Sequence, residues 1–237
     1  MQVINPNVDA DAIRAALDRD GIVQVRNYLV PPLAEELFTC LDQQIHWDLA
    51  YSHDGEGHLI RYDRLATMTP QQVREAVDSA FDFTRSRFQF AYNTFKVLDS
   101  FVAQEYASHP LYRLADALHT PGHLAYVRRL TGCTQIRRMD LIAARYLRGH
   151  FLTLHDDVIE SEGREIAYVL NLTREWRPEW GGLLHIADAA QQNVVRTYTP
   201  EFNSMVLFRP PLWHFVSQVA SFAAQPRYTL TGWMLNR

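Results

Sequence analysis

Three side chains in the second half of the sequence are of the types that bind a small metal ion. His155 and Asp157 are two residues apart in the segment FLTLHDD, so on an extended strand both would project to the same side while Asp156 faces away. His214 lies in a later β-like run, LWHFVSQV. If a rolled sheet brings the two runs together, these residues form a two-histidine, one-carboxylate face that leaves coordination positions open on non-haem Fe(II).

Each of these signals also has an ordinary structural interpretation. A chain with ten histidines and 27 acidic residues produces His-x-Asp pairs by chance, and such a pair at the end of a strand is normally a solvated turn. A lone histidine between Trp213 and Phe215 is more often a core residue with a satisfied hydrogen bond. The metal interpretation therefore depends on the pair and His214 occurring together.

A cation further along the chain indicates that the site also binds an anion. Arg227 begins the apolar run RYTLTGWML, and its guanidinium is permanently charged and offers a rigid fork of donors. If Arg227 lies at an exposed strand end, its guanidinium needs no partner. If Arg227 is buried near the metal, the guanidinium requires an anion such as a carboxylate. Thr229, two residues on, would add a hydroxyl on the same face.

The composition argues against several classes of protein. The sequence has 23 Lys and Arg against 27 Asp and Glu, a formal charge of −4, so we expect no nucleic-acid partner. It has neither the pattern of a secretory leader nor an apolar run of about 18 residues, which predicts a cytoplasmic protein without a membrane partner. Cys40 and Cys133 lack disulfide or metal spacing and are interpreted as buried apolar residues.

The first 134 residues are predicted to be mainly helical, because apolar side chains recur every three or four residues behind capping residues and prolines. The longest helix is expected to begin at Thr69, since Thr69 and Gln72 have the spacing of a capping box. A short strand is expected over 22–26. The predicted helices lie between Asn7 or Asp9 and Gly21, from Pro31 to Leu41, from Thr69 to Phe95, from Leu111 to Leu118 and from Pro121 to Leu130.

The polar segment 46–64 contains Gly55 and Gly57 and is interpreted as a mobile loop. Binding residues concentrate in mobile loops beside a rigid scaffold, so this segment is a candidate substrate lid. A solvated connection with one buried tryptophan is the other interpretation.

From about residue 135 the apolar pattern becomes that of short strands separated by Gly and Pro. Eight such runs predict a jelly roll or barrel. We therefore predict an α+β fold in a single domain, 1–237, in which residues 1–134 support a β-core formed by residues 135–237. The runs are Ile142 to Leu147, Phe151 to Leu154, Ile166 to Leu172, Gly182 to Ala187, Val194 to Tyr198, Ser204 to Phe208, His214 to Val219 and Tyr228 to Leu235.

The ordered combination of these segments resembles the Fe(II)/2-oxoglutarate-dependent dioxygenases, specifically their prolyl-hydroxylase-like branch. The resemblance covers roughly residue 135 to the C-terminus and is carried by YLRGHFLTLHDD, EWRPEWGGLLHIAD, FNSMVLF, WHFVSQV and RYTLTGW. It implies a double-stranded β-helix with Fe(II) at His155, Asp157 and His214. It also implies an enzyme that uses O₂ to hydroxylate a protein prolyl residue or a small amino-acid-like metabolite, releasing succinate and CO₂.

The resemblance further implies which residues bind the co-substrate. Arg227 would hold the distal carboxylate of 2-oxoglutarate with help from Thr229, and Tyr146 would line the pocket or pack in the core with its hydroxyl at the rim. Asn171 stands where related prolyl hydroxylases tend to carry a tyrosine that touches 2-oxoglutarate, and its amide can still donate a hydrogen bond there. This departure weakens the argument for a prolyl substrate, so a small metabolite stays open.

Two other functions stay open from the sequence. A cupin-like metalloenzyme would bind a metal but not 2-oxoglutarate, and Arg227 argues against it. A non-catalytic binding protein on the same fold would have no physical reason to retain His155, Asp157, His214 and Arg227 together.

Overall fold

The computed structural model describes residues 2–82, 84, 87–102 and 109–237, and for 101 and 102 the backbone alone. No helix in these ranges is long and apolar enough to cross a membrane. The helices are α1 Ala10–Asp20, α2 Pro31–Gln43, α3 Tyr62–Leu65, α4 Pro70–Ser79, α5 Val97–Val102, α6 Pro110–Leu118 and α7 Pro121–Thr131. The strands are β1 Ile22–Val25, β2 Asp48–His53, β3 Glu56–Ile60, β4 Phe90–Lys96, β5 Arg138–Met139, β6 Ile142–Tyr146, β7 Phe151–His155, β8 Arg164–Asn171, β9 Leu184–Ala187, β10 Val194–Tyr198, β11 Ser204–Phe208, β12 His214–Val216 and β13 Arg227–Leu235.

These strands form an antiparallel sheet in the order β1-β11-β8-β13-β6-β4-β7-β12-β9-β10, with β2 and β3 attached beside β4 and β5 beside β13. Side chains of β8 and β13 line the same cavity as side chains of β7, β9 and β12, which lie several strands away in this order. The sheet is therefore curled. The predicted α+β architecture with a jelly-roll core is therefore confirmed.

The helices cover the convex side of this sheet. Their caps follow the sequence signals: Asp9 accepts hydrogen bonds from the first turn of α1, Gly21 ends that helix with φ 70°, and Thr69 forms a capping box with Gln72 at α4. Apolar side chains of α1, α2, α6 and α7 pack with those of β6, β8 and β13 in the largest buried cluster. The helices thus support the β-core, as predicted.

The prediction of one long helix from Thr69 to Phe95 is wrong. Helix α4 ends at Ser79, and strand β4 occupies Phe90–Lys96 between β6 and β7 of the sheet. The apolar residues here fit the helical spacing of three or four residues, but Phe88, Phe90 and Tyr92 also fit the two-residue spacing of a strand. Residues 90–96 adopt the strand because they pair with β6 and β7. Residues before 135 therefore contribute a central strand to the sheet. The single-domain organisation stays a prediction.

The segment 46–64 is also more regular than predicted. It forms the hairpin of β2 and β3 followed by α3, and β2 pairs with β4. The role of this segment as a substrate lid stays a prediction. Cys40 is buried as expected, but Cys133 lies just beyond α7, half-buried, with its Sγ 3.0 Å from Nη1 of Arg209.

Candidate functional site

His155 and His214 lie directly opposite each other on neighbouring strands. Strands β7 and β12 are antiparallel, and their register pairs His214 with His155. The two imidazole rings have centroids 4.0 Å apart. Cross-strand pairing therefore joins two residues that are far apart in the sequence.

Each imidazole is oriented by a backbone carbonyl two residues earlier. Nδ1–H of His155 donates to the carbonyl oxygen of Thr153 over 2.9 Å, and Nδ1–H of His214 donates to that of Leu212 over 2.7 Å. These hydrogen bonds place the proton of a neutral ring on Nδ1 and leave Nε2 available to bind a metal. Burial lowers the pKa of His214 to about 4, so this ring is neutral at pH 7.

Asp157 completes the cluster from outside the strand. Its Oδ1 lies 3.4 Å from Nε2 of His155 and its Oδ2 lies 3.5 Å from Nε2 of His214, and one ligand atom from each residue falls within 4.8 Å of the others. The prediction that strand alternation aims Asp157 is wrong: β7 ends at His155, and Asp157 has φ 63° in the left-handed region. Aspartate tolerates this conformation better than most residues.

Arg164 holds this left-handed residue in place. Its Nη1 donates to the backbone carbonyl of Asp157 over 3.1 Å and lies 3.6 Å from Oδ1 of the same residue. Its guanidinium lies 3.5 Å from the ring centroid of Trp233. Burial favours a raised pKa for the Asp157 carboxyl, but the neighbouring His155, His214 and Trp233 together hold it below its ordinary value. The carboxylate is therefore ionised and positioned.

Arg227 is a buried cation with unused donors. It is 2% exposed, its Nη2 donates to Oδ1 of Asn171 over 3.4 Å, and its guanidinium lies 5.0 Å from the ring centroid of Tyr146. Among the described residues, Nε and Nη1 of Arg227 have no hydrogen-bond partner. Burial lowers the pKa of Arg227 to about 10, so the group is still charged at pH 7.

One cavity of about 90 Å³ connects these groups. Arg227, Thr229 and Trp233 line it from alternate positions of β13, and Asp157 and His214 line it from the opposite wall. Tyr146 also lines it, whereas Asn171 lies behind Arg227 and is not among the lining residues. The structure therefore brings together all the predicted site residues, with Asn171 contacting the arginine.

The residues present fit both groups implied by the family resemblance. Two imidazole nitrogens and one carboxylate that converge on one point match the facial set of non-haem Fe(II), which leaves coordination positions open. The unpartnered donors of the buried Arg227 match a carboxylate, since a buried guanidinium normally has an anion or several acceptors.

Sequence reasoning missed Trp233, Arg164 and two aromatic residues in and just before β4, Phe88 and Tyr92. Every second residue of a strand lies on the same face, so the spacing of Arg227 and Trp233 could have predicted that both face one cavity. For Arg164 no sequence signal was available, because its role depends on a loop conformation. Phe88 and Tyr92 were hidden by the incorrect helix prediction.

Residues 141–235 match the sequence model of the 2OG-Fe(II) oxygenase superfamily. A prolyl 3-hydroxylase of Mus musculus, OGFOD1, is 31% identical over 115 residues, which are 46% of this chain and 21% of that protein. This chain spans about a fifth to a quarter of the length of the curated relatives that it matches.

Two solved structures show the same fold at low sequence identity. A prolyl-4-hydroxylase of Pseudomonas putida has a TM-score of 0.62 and 17% identity, with 97% of this chain and 100% of that chain covered. A prolyl hydroxylase of Trichoplax adhaerens, solved with a peptide fragment of the hypoxia inducible factor oxygen degradation domain, has a TM-score of 0.60 and 16% identity, with 96% and 89% covered. These likenesses confirm the fold, and the superfamily match over residues 141–235 agrees with the family resemblance.

Proposed function

We propose that this chain, whose residues 141–235 match the 2OG-Fe(II) oxygenase superfamily, is a member of that superfamily and an Fe(II)- and 2-oxoglutarate-dependent dioxygenase that hydroxylates a prolyl residue of a peptide. Superfamily membership implies Fe(II), 2-oxoglutarate and O₂. The prolyl substrate is supported by the names of the curated relative and of the two structural neighbours.

In this proposal the cluster at the end of β7 holds the metal. Nε2 of His155, Nε2 of His214 and the carboxylate of Asp157 are the three ligands, and the backbone carbonyls behind the two rings fix the tautomers. Arg164 keeps Asp157 in the conformation that aims its carboxylate at the two imidazoles.

Arg227 and Thr229 bind the distal carboxylate of 2-oxoglutarate at the other end of the cavity. The free Nε and Nη1 of Arg227 donate to it, and the hydroxyl of Thr229, two residues along β13, supplies a further donor. The ring of Tyr146 covers the guanidinium and excludes water from this ion pair. Charge pairing in a dry site then sets the orientation of the co-substrate.

Fe(II) with 2-oxoglutarate and O₂ supplies oxidative hydroxylation of a C–H bond, with succinate and CO₂ as co-products. The chain contributes placement, since the ligand set leaves one side of the metal open toward the cavity and the apolar walls shield that side from bulk water. Asp157 as third ligand favours hydroxylation over halogenation, because related halogenases lack this carboxylate.

The unpartnered donors of Arg227 are the observation that carries this proposal. A cupin-like metalloenzyme that does not use 2-oxoglutarate has no need for a buried cation in the metal cavity, and an isolated buried charge is costly. A non-catalytic binding protein has no need for three converging ligand atoms beside it.

The decisive experiment is anaerobic addition of Fe(II) and 2-oxoglutarate to the protein. We expect a visible metal-to-ligand charge-transfer band in the unchanged protein and its loss in Asp157→Ala. The Asp156→Ala variant is the matched control, because the Asp156 side chain accepts from the backbone N–H of Val158 and is no part of the cluster. It should retain the band.

Three outcomes separate the competing functions. A band followed, once O₂ is admitted, by succinate formation and a one-oxygen mass increase on a proline-containing peptide supports the proposal. Metal binding without the band indicates a cupin-like enzyme, and binding of neither indicates a non-catalytic protein. Succinate formation that is stimulated by a small amino acid but by no peptide would replace the prolyl substrate with a metabolite.

A further inference from the structure

An exposed phenylalanine lies beside one of the candidate metal ligands. Phe88 is 44% exposed, and its ring centroid lies 4.8 Å from that of His155. Single exposed apolar residues are ordinary on a protein surface. This one differs because its ring contacts a side chain that we assign to the metal.

Phe88, two residues before β4, is the outer end of a series of aromatic rings that continues along this strand. Phe88, Phe90 and Tyr92 alternate with buried residues, so they share one face of the strand. Successive ring centroids are 5.6 Å and 5.7 Å apart, and Tyr92 stacks on Tyr146 at 5.5 Å. We call Phe88, Phe90 and Tyr92 the aromatic track. It leads from solvent to the cavity that Tyr92 and Tyr146 line.

The backbone at the outer end of the track is firmly held. Gln89 is fully buried, its backbone N–H donates to Oγ1 of Thr153 over 2.8 Å, and its backbone carbonyl accepts from the N–H of Thr153 over 2.9 Å. Its side-chain Oε1 accepts from Oγ of Ser52 over 2.6 Å. Because Thr153 precedes His155 on β7, these hydrogen bonds of Gln89 to β7 and β2 fix the position of Phe88 relative to the metal site.

We propose that Phe88 and Phe90 are specificity-determining residues, which bind an apolar side chain adjacent to the prolyl residue that reacts. This inference rests on the proposed function and names a feature of its substrate. The track is continuous with the candidate active site, and its outer ring offers apolar surface to the solvent. When the proline of a peptide occupies the cavity, we expect the residue next to that proline to lie against Phe88. An apolar side chain there would remove its own surface and that of Phe88 from water.

The inference is tested by peptide binding to protein loaded with Mn(II) and 2-oxoglutarate in the absence of O₂, so that no turnover occurs. The two probes are N-acetylated, C-amidated Leu-Pro-Leu and Ser-Pro-Ser, titrated by calorimetry. We expect the unchanged protein to bind the leucine probe about tenfold more tightly than the serine probe, as burial of part of one aromatic ring predicts. Phe88→Ala should remove this preference, and Phe88→Leu should restore most of it.

Phe222→Ala is the matched control. Phe222 is 64% exposed, more than Phe88, but among the described residues its ring contacts neither His155 nor the aromatic track, so its removal should leave the preference unchanged. Equal affinities of the unchanged protein for the two probes, or a preference that survives in Phe88→Ala, would overturn the inference. So would loss of Mn(II) affinity in Phe88→Ala, since Phe88 would then act by packing on His155.

The outcome is distinguishable from failure of the proposed function. That failure would appear in the unchanged protein as absence of the charge-transfer band with Fe(II) and 2-oxoglutarate. Failure of the Phe88 inference alone would appear as a normal band together with no preference between the probes.

Discussion

Replacing Arg227 by methionine should stabilise the protein without ligand and abolish its response to 2-oxoglutarate. Methionine has a long unbranched side chain that fills irregular space in a core without carrying a charge. The substitution removes a fully buried cation whose Nε and Nη1 have no partner among the described residues. Binding of a carboxylate, which we propose as the role of this cation, is lost with it.

The size of the effect follows from the pKa of Arg227. Burial lowers that pKa from 12.5 to about 10, and one pKa unit corresponds to about 1.4 kcal/mol. Because the folded state disfavours the protonated form, the charge destabilises the fold by about 3 kcal/mol at any pH below about 10. The cation–π contact with Tyr146 offsets about 1 kcal/mol. The net gain of about 2 kcal/mol corresponds to roughly 4–8 °C in melting temperature.

Thermal unfolding at neutral pH measures both parts of this prediction. With Mn(II) present, 2-oxoglutarate at about 100 times its dissociation constant should stabilise the unchanged protein by about 2.7 kcal/mol and Arg227→Met not at all. Arg145→Met is the matched control. Arg145 is a largely buried arginine on β6, but it donates to Oδ1 of Asn93 and lies 5.0 Å from the ring of Trp47. Its loss should lower the melting temperature and leave the 2-oxoglutarate response intact.

Two results would refute this reasoning. A lower melting temperature for ligand-free Arg227→Met would show that the buried charge is stabilised in the ligand-free protein. An undiminished response of Arg227→Met to 2-oxoglutarate would show that another group binds the carboxylate.

Two further predictions concern the support of the metal site and the response to acid. Arg164→Lys keeps the charge but loses the planar fork that bonds the Asp157 carbonyl and stacks on Trp233, so Fe(II) affinity, measured by anaerobic equilibrium dialysis, should fall about 10- to 100-fold. Arg174→Lys, in an exposed pair with Glu35, should leave it unchanged, and an equal loss in both variants would contradict the assignment. Burial lowers the pKa of His150 to about 4 from 6.5, so the unfolded state binds the proton more readily. Stability is then lost as the pH falls from about 6.5 toward 4, and His150 accounts for about 2 kcal/mol of that loss between pH 7 and pH 5. Urea unfolding of His150→Gln at both pH values should show a pH dependence smaller by this amount, and an unchanged dependence would assign the acid sensitivity to other groups.

The C-terminal half was predictable because its strands are short, apolar and separated by Gly and Pro. Each predicted run coincides with an observed strand, and the bounds differ by no more than three residues. The stretch before β4 was not predictable by the same rule, because its apolar residues fit a helix as well as a strand. Hydrogen bonds from Gln89 and the pairing of β4 with β6 and β7 decide the outcome, and both depend on residues that are distant in the sequence.

The sequence by itself determined which side chains were available for the site. The types of His155, Asp157, His214 and Arg227 and the strand period around three of them indicated a metal site and a cation that binds an anion. The resemblance of the surrounding segments to a known family then implied 2-oxoglutarate as that anion. A local signal was sufficient here, because ligand chemistry depends on residue type and because a strand presents alternate residues to one side.

Only the tertiary structure decided how these side chains meet. The left-handed backbone of Asp157, the clamp by Arg164 and the unpartnered donors of Arg227 depend on groups brought together by sheet curling. The same holds for Phe88, whose position beside His155 arises from β4 lying next to β7. Antiparallel pairing joins segments that are distant along the chain, and no local pattern specifies which strands become neighbours.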